Sequence, residues 1–234
     1  MHMQIRGAIF DFNGTLIFDS HLHELAWQHF SLQMRGREFD ESEISAHIHG
    51  RVNRHILEYI VGRILNREEV EKLASQKEEL YRASAANLGD GFLLGPGVEQ
   101  LLNDLTSHSI PITIATASDI TNLNFFVQQL NLARWFDINK IIYDDGSFPG
   151  KPEPDIFLRA AEKINLSPAE CVVIEDSISG LESARRAGAG RIIAIAPAER
   201  RQDILDSTAA DLVIETFEEI DLALLLGWSD NKAW

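Results

Sequence analysis

Five short runs of almost unbroken apolar residues set the strongest limit on how this chain folds. They are residues 6–10, Pro111–Ala115, Cys171–Ile174, Arg191–Ile195 and Leu212–Ile214. A strand covered on both faces reads as such a run rather than as a strict alternation. Helical patterns separate the later runs, over Asp119–Leu130 and Ser177–Ala187. Strands alternating with helices at this spacing predict an α/β fold, a doubly wound parallel sheet with helices on both faces. Residues 20–90 follow a different pattern, helical throughout, with no convincing strand. There Ile56, Leu57, Ile60, Val61, Ile64 and Leu65 recur at the spacing of one helix face. Asp40 and Glu43 have the spacing of a capping box. The expected layout is a core of residues 1–16 and 92–234 with an all-helical insertion at 17–91.

Composition removes several function classes. Lys and Arg number 21 against 36 Asp and Glu, a formal charge of -15. Nucleic-acid binding needs a basic face to displace counterions, so no such partner is expected. One small phosphate still needs only a few local cations and backbone amides. Cys171 is the single cysteine, which rules out a disulfide framework and fits a reducing, cytoplasmic setting. The apolar part of MHMQIRGAIF is too short for a signal peptide, and LALLLGW falls far short of a membrane span. A monomer or weak homodimer is expected.

In an open parallel sheet, ligands bind beyond the carboxyl ends of the strands. Those ends are unusually rich in chemistry here. The first run leads into Asp11 and Asn13, the second into Thr116, Ala117 and Ser118, and the third into Glu175 and Asp176. Lys151 lies on the Gly/Pro-rich segment DDGSFPGKPEPDIF. If these meet, they form a crevice with three carboxylates, one ammonium and at least one hydroxyl. Clustered carboxylates repel unless a cation joins them, and oxygen-only ligands favour a hard ion such as Mg²⁺. A lysine and a hydroxyl beside such an ion suit a phosphoryl group. Gly14 allows a tight turn that aims backbone N–H groups at an anion. An aspartate in this setting can also act as a covalent nucleophile.

DFNGTL, the TAS of IATAS, GKPEPDIF and VIEDSISGLESARRAG together resemble the four ordered motifs of the haloacid dehalogenase superfamily. The match covers nearly the whole core, and the helical insertion lies where that superfamily places its cap. HELAW and HGRVNRHIL are similar to the cap of its β-phosphoglucomutase-like branch. The resemblance implies a Mg²⁺-dependent phosphohydrolase acting on a small phosphorylated metabolite, sugar phosphates included, through an aspartyl-phosphate. It implies Asp11 as nucleophile and magnesium ligand, with the backbone carbonyl of Asn13 on the same ion. Asp176 is implied as a further ligand, and Glu175 as a ligand directly or through water. Thr116 and the amide of Ala117 would hold the transferring phosphate, and Lys151 would neutralise charge between it and Asp11. A cap would close over the site and choose the substrate.

Asn13 departs from that pattern, since such phosphatases and phosphomutases usually carry a second aspartate at this place. That aspartate protonates the leaving oxygen and then activates the acceptor, which an amide cannot do near neutral pH. Losing a general acid/base costs on the order of 10²–10⁴ in rate. Several readings stay open: a slow enzyme or one using good leaving groups, a proton supplied by another group such as His23, an engineered trap, or a protein that binds phosphate esters without turnover. The Asn13–Gly14 pair is also prone to deamidation, which would restore a carboxylate. A phosphomutase is the alternative function, and Asn13 counts against it because a mutase exchanges protons with two hydroxyls.

The insertion offers further candidates. Arg51 and Arg54 suit the far end of a substrate, beside the plainer reading of contacts with an acidic surface. His47, His49 and His55, with His21 and His23, lack a partner cysteine at zinc-site spacing, so no zinc centre is expected. Trp27 and Phe30 read as core of the insertion.

Overall fold

The computed structural model describes residues 4–48, 53–208 and 210–227. The chain divides into two units, Met1–Phe18 with Leu93–Trp234, and Asp19–Phe92. The second unit is helical: α1 (Ser20–Arg35), α2 (Glu41–Glu43), α3 (Asn53–Val61) and α4 (Arg67–Asn87), with a π-helical stretch at Ile44–Ile48. Its core contains Trp27, Phe30, Phe39, Ile56, Leu57, Ile60 and Leu65. Asp40 and Glu43 form a capping box on α2, and Asn66 and Glu69 form one on α4. The expected face running through Ile64 is shorter than its periodicity suggests. Gly62 turns left-handed (φ 75°) and stops α3 at Val61. Ile64 is then 85% exposed, while Leu65 is buried from the connecting loop.

The first unit carries a five-stranded parallel sheet of β1 (Gly7–Phe10), β2 (Ile112–Ile114), β3 (Cys171–Glu175), β4 (Arg191–Ile195) and β5 (Leu212–Ile214), in the order β2-β1-β3-β4-β5. Its helices are α5 (Val98–Ser107), α6 (Ile120–Gln129), α7 (Asp155–Lys163), α8 (Ile178–Ala187), α9 (Arg201–Ser207) and α10 (Leu222–Leu226). Alternate strand residues Ile9, Val173, Ile192, Ala194 and Val213 join Ile156, Phe157, Ala160, Leu181, Ala184 and Ile204 in one buried cluster. Phe10 packs edge-on to Phe136 and also meets Phe217. Successive strand side chains point to opposite faces, so the sheet is buried on both, as the apolar runs require. This is the α/β fold expected from the alternation of strands and helices.

Strand register sets which residues meet at the carboxyl edge of the sheet. Phe10 pairs with Ile114 on one side and with Ile174 on the other. The residues immediately beyond these pairs therefore emerge side by side from adjacent strands, which lie about 4.8 Å apart.

Candidate active site

Asp11 follows β1 and stays in line with the sheet, its N–H donating to the Ile174 carbonyl at 3.0 Å. Glu175 is the last residue of β3, so Asp11 and Glu175 are neighbours by register. Both are buried. The Lys151 ammonium bridges them, donating to Asp11 Oδ1 and to Glu175 Oε1 at 2.5 Å each. The other Glu175 oxygen, Oε2, accepts from the backbone N–H (2.6 Å) and hydroxyl (2.9 Å) of Ser177, which also caps α8. Asp176 stands beside them and accepts from the Thr15 hydroxyl at 3.4 Å. Oxygens of Asp11, Glu175 and Asp176 lie within 4.8 Å of one another.

Two glycines create the space for these carboxylates. Gly14 has φ 79°, and a Cβ there would overlap the Asp176 carboxylate. Gly180, in the first turn of α8, would drive a Cβ into the Glu175 carboxylate. Neither position tolerates a side chain without displacing a group of the cluster.

Thr116 is buried just beyond β2, where Ala115 N–H still bonds to the Phe10 carbonyl at 2.8 Å. Its hydroxyl accepts the Ser118 N–H at 3.1 Å, and Ala117 between them is exposed. The Ser118 hydroxyl donates to Asn13 Oδ1 at 2.8 Å, tying the loop after β2 to the loop after β1. The structure thus gathers Asp11, Lys151, Glu175 and Asp176, and links Thr116 to Asn13 through Ser118. Arg54 belongs to the helical unit, where it is exposed, donates to the Leu65 carbonyl at 2.7 Å and lies 3.4 Å from Glu58. Arg51 and His49 lie outside the described residues. His23 has both ring nitrogens engaged within its own unit, Nδ1 with Lys77 at 2.6 Å and Nε2 with Asp19 at 3.3 Å. The supporting partners Ser177 and Gly180 lie within the motif VIEDSISGLESARRAG, but their contacts with the Glu175 carboxylate were not read from the sequence.

The electrostatics of the cluster follow from its burial. Burial raises the Asp11 carboxyl well above the ordinary range, and the Glu175 and Asp176 charges push the same way against the pull of Lys151. Burial also works against the Lys151 ammonium, but the two carboxylates it touches outweigh that and hold its pKa above normal. Three carboxylates against one ammonium remain short of positive charge. A donor set made only of oxygens, crowded and under-neutralised in this way, fits a hard divalent cation.

Fold and site together define a parallel α/β protein with a carboxylate-and-lysine centre at the carboxyl ends of its strands. The chain belongs to the haloacid dehalogenase-like hydrolases, whose family model matches residues 5–188. It is similar to the crystal structure of a HAD hydrolase, family IA, variant 3, from Entamoeba histolytica, with a TM-score of 0.89 and 39% identity over 95% of this chain and 98% of that one. It is 29% identical to the β-phosphoglucomutase of Bacillus subtilis, covering 94% of each protein. It is 28% identical to hexitol phosphatase A of Escherichia coli, over 93% of this chain and 94% of that protein. These relatives are of the β-phosphoglucomutase- and phosphatase-like kind that the four motifs and the cap resemblance implied. Among the described residues, no helix is long and apolar enough to cross a membrane.

Proposed function

We propose that this chain is a Mg²⁺-dependent phosphohydrolase that receives the phosphoryl group of a small phosphorylated metabolite on Asp11. The observation that carries the reading is the buried Asp11 carboxylate, held at one oxygen by Lys151 and flanked by Glu175 and Asp176. Asp11, Asp176 and the Asn13 carbonyl would hold the ion, with Glu175 beside them. Bound there, Mg²⁺ supplies positive charge to a phosphoryl group and to the carboxylates around it. Lys151 fixes the orientation of Asp11 and neutralises charge as the phosphoryl group approaches. The Thr116 hydroxyl and the backbone amide of Ala117, an exposed residue on the neighbouring loop, would hold the phosphate. Phosphoryl transfer depends chiefly on positioning and charge neutralisation, and these side chains provide both.

The relatives' names speak for phosphorylated sugars and polyols as the substrate class. Between hydrolase and mutase, Asn13 favours the hydrolase, because a mutase relies on proton exchange at two sugar hydroxyls. The test is turnover of an aryl phosphate with Mg²⁺ by the parent and by Asp11→Ala. Phosphate release by the parent and none by the variant is the expected result. Equal rates in the two proteins would end the covalent reading.

A further inference from the structure

Ser183 stands in the middle of α8, fully buried, where alanine is the better helix former. A serine hydroxyl inside a helix ordinarily points to solvent or turns back to a carbonyl of its own helix. This one donates to the Glu153 carbonyl at 2.6 Å, 30 positions away in the chain. The Glu153 side chain meets α8 as well, its Oε1 accepting from Arg186 at 2.9 Å. Glu153 closes the turn that carries Lys151, because its N–H donates to the Gly150 carbonyl at 3.1 Å. Ahead of that turn, residues 144–147, 149 and 150 are exposed. Behind it, α7 enters the core through Ile156 and Phe157.

The same helix holds a carboxylate at the far end of the Lys151 bridge. Its cap, Ser177, bonds to Glu175 Oε2 through both N–H and hydroxyl, and Gly180 leaves that carboxylate its room. Gly180, Ser183 and Arg186 follow the cap at three-residue steps. Successive turns of one helix therefore fix Glu175 at its start and the Lys151 turn further along. The Lys151 ammonium reaches Asp11 and Glu175 at 2.5 Å each, so a small shift of its turn breaks both contacts.

We propose that Ser183 is a positioning residue: through the Glu153 carbonyl it pins the turn that aims Lys151 at Asp11. Its consequence for rate rests on the reading of Asp11 and Lys151 as phosphoryl-transfer groups, whereas its hold on Lys151 does not. Without the hydroxyl, the Glu153 carbonyl loses its donor and the turn moves toward water to recover one. Displacing a charge-neutralising group by about 1 Å costs on the order of 10²-fold in rate. The loss falls on kcat, because Lys151 meets the phosphoryl group most closely as it reaches Asp11.

The test compares the parent, Ser183→Ala, Ser183→Cys, Thr113→Val and Asp11→Ala. Cysteine keeps the shape of the side chain and is a weak donor, so it carries the test if the alanine variant does not fold. Thr113→Val is the control: it removes another buried hydroxyl bonded to a loop carbonyl, that of Lys140 at 2.8 Å. The first readout is acetylation of Lys151 by acetic anhydride, followed by peptide mass spectrometry against the exposed Lys72. Lys151 should label at least about threefold faster in Ser183→Ala, faster than parent in Ser183→Cys, and at the parent rate in Thr113→Val. The second readout is turnover of an aryl phosphate with Mg²⁺. There kcat should fall about 10- to 100-fold in Ser183→Ala with KM within about twofold, and Thr113→Val should match the parent. Parent-rate labelling of Lys151 in the folded Ser183 variants would overturn the proposal, as would equal acceleration in Thr113→Val. Faster labelling with unchanged kcat would overturn it too, since Lys151 would then not need its turn held. If Asp11→Ala turns over as the parent does, or the parent releases no phosphate, the fault lies in the Asp11 reading, and labelling alone decides the role of Ser183.

Discussion

Gly180 shows how tightly the acidic cluster is built. It lies in the first turn of α8, where alanine would ordinarily be the better helix former by about 0.5–1 kcal/mol. Here the added methyl would overlap the Glu175 carboxylate, which is itself fixed by Lys151 and by two bonds from Ser177. Overpacking against an immobile buried group costs about 1–3 kcal/mol, so the clash outweighs the helical gain. Gly180→Ala is therefore expected to lower the thermal midpoint by several degrees and to reduce phosphatase turnover together with it. A midpoint that rises would show that Glu175 has room to move despite its bonds to Lys151 and Ser177. Asn13 illustrates a different dependence on surroundings. Its identity alone removes an acid/base group, but only the structure reveals that Ser118 fixes the amide with its oxygen already occupied.

At the level of elements, the one-turn helix α2 is anchored by polar contacts rather than by length. The Glu43 carboxylate at the end of α2 accepts from Arg37, from the Tyr59 hydroxyl on α3 and from Arg35 on α1. The Arg37 and Tyr59 bonds hold its pKa far below the ordinary 4.5. A depressed carboxylate pKa stabilises the fold above the unfolded value, and that stability drains away as pH falls below it. The thermal midpoint of the parent is expected to drop as pH falls below about 4.5, and more steeply than that of Glu43→Gln. Parallel pH profiles for the two proteins would mean that this cluster does not couple to folding. Sequence patterning captured the elements unevenly, for physical reasons. The five strands were legible because burial on both faces leaves an unbroken apolar run. Asp11, Glu175 and Asp176 could be placed because they end those runs. The end of α3 was not legible, because apolar spacing continues past Gly62 while the backbone does not. The π-helical Ile44–Ile48 was equally hidden, since nothing in its side chains distinguishes it from an ordinary helical turn. Bonds such as Ser118 to Asn13, 105 positions apart, arise only when two strand ends are brought together.

Over the whole molecule, charge couples the site to stability. The chain carries a formal charge of -15, so any added salt relieves some self-repulsion by screening. A specific cation site adds a second effect, because an ion that binds only the folded state stabilises it by mass action. The two are separable at matched ionic strength. Screening is shared by NaCl and MgCl₂, whereas Asp11, Glu175 and Asp176 present a cluster of oxygens that only a divalent hard cation can neutralise efficiently. At a Mg²⁺ concentration about 100 times its dissociation constant the gain is about 2.7 kcal/mol. For a chain of this size that corresponds to roughly 5–10 °C in thermal midpoint beyond the NaCl control. Asp176→Asn removes one charge from the cluster without touching the Lys151 bridge between Asp11 and Glu175, so it should abolish most of the excess while leaving the screening response intact. Equal midpoints in the two salts for the parent would mean that these three carboxylates do not hold a divalent ion, and that the charge deficit around Asp11 is met in some other way.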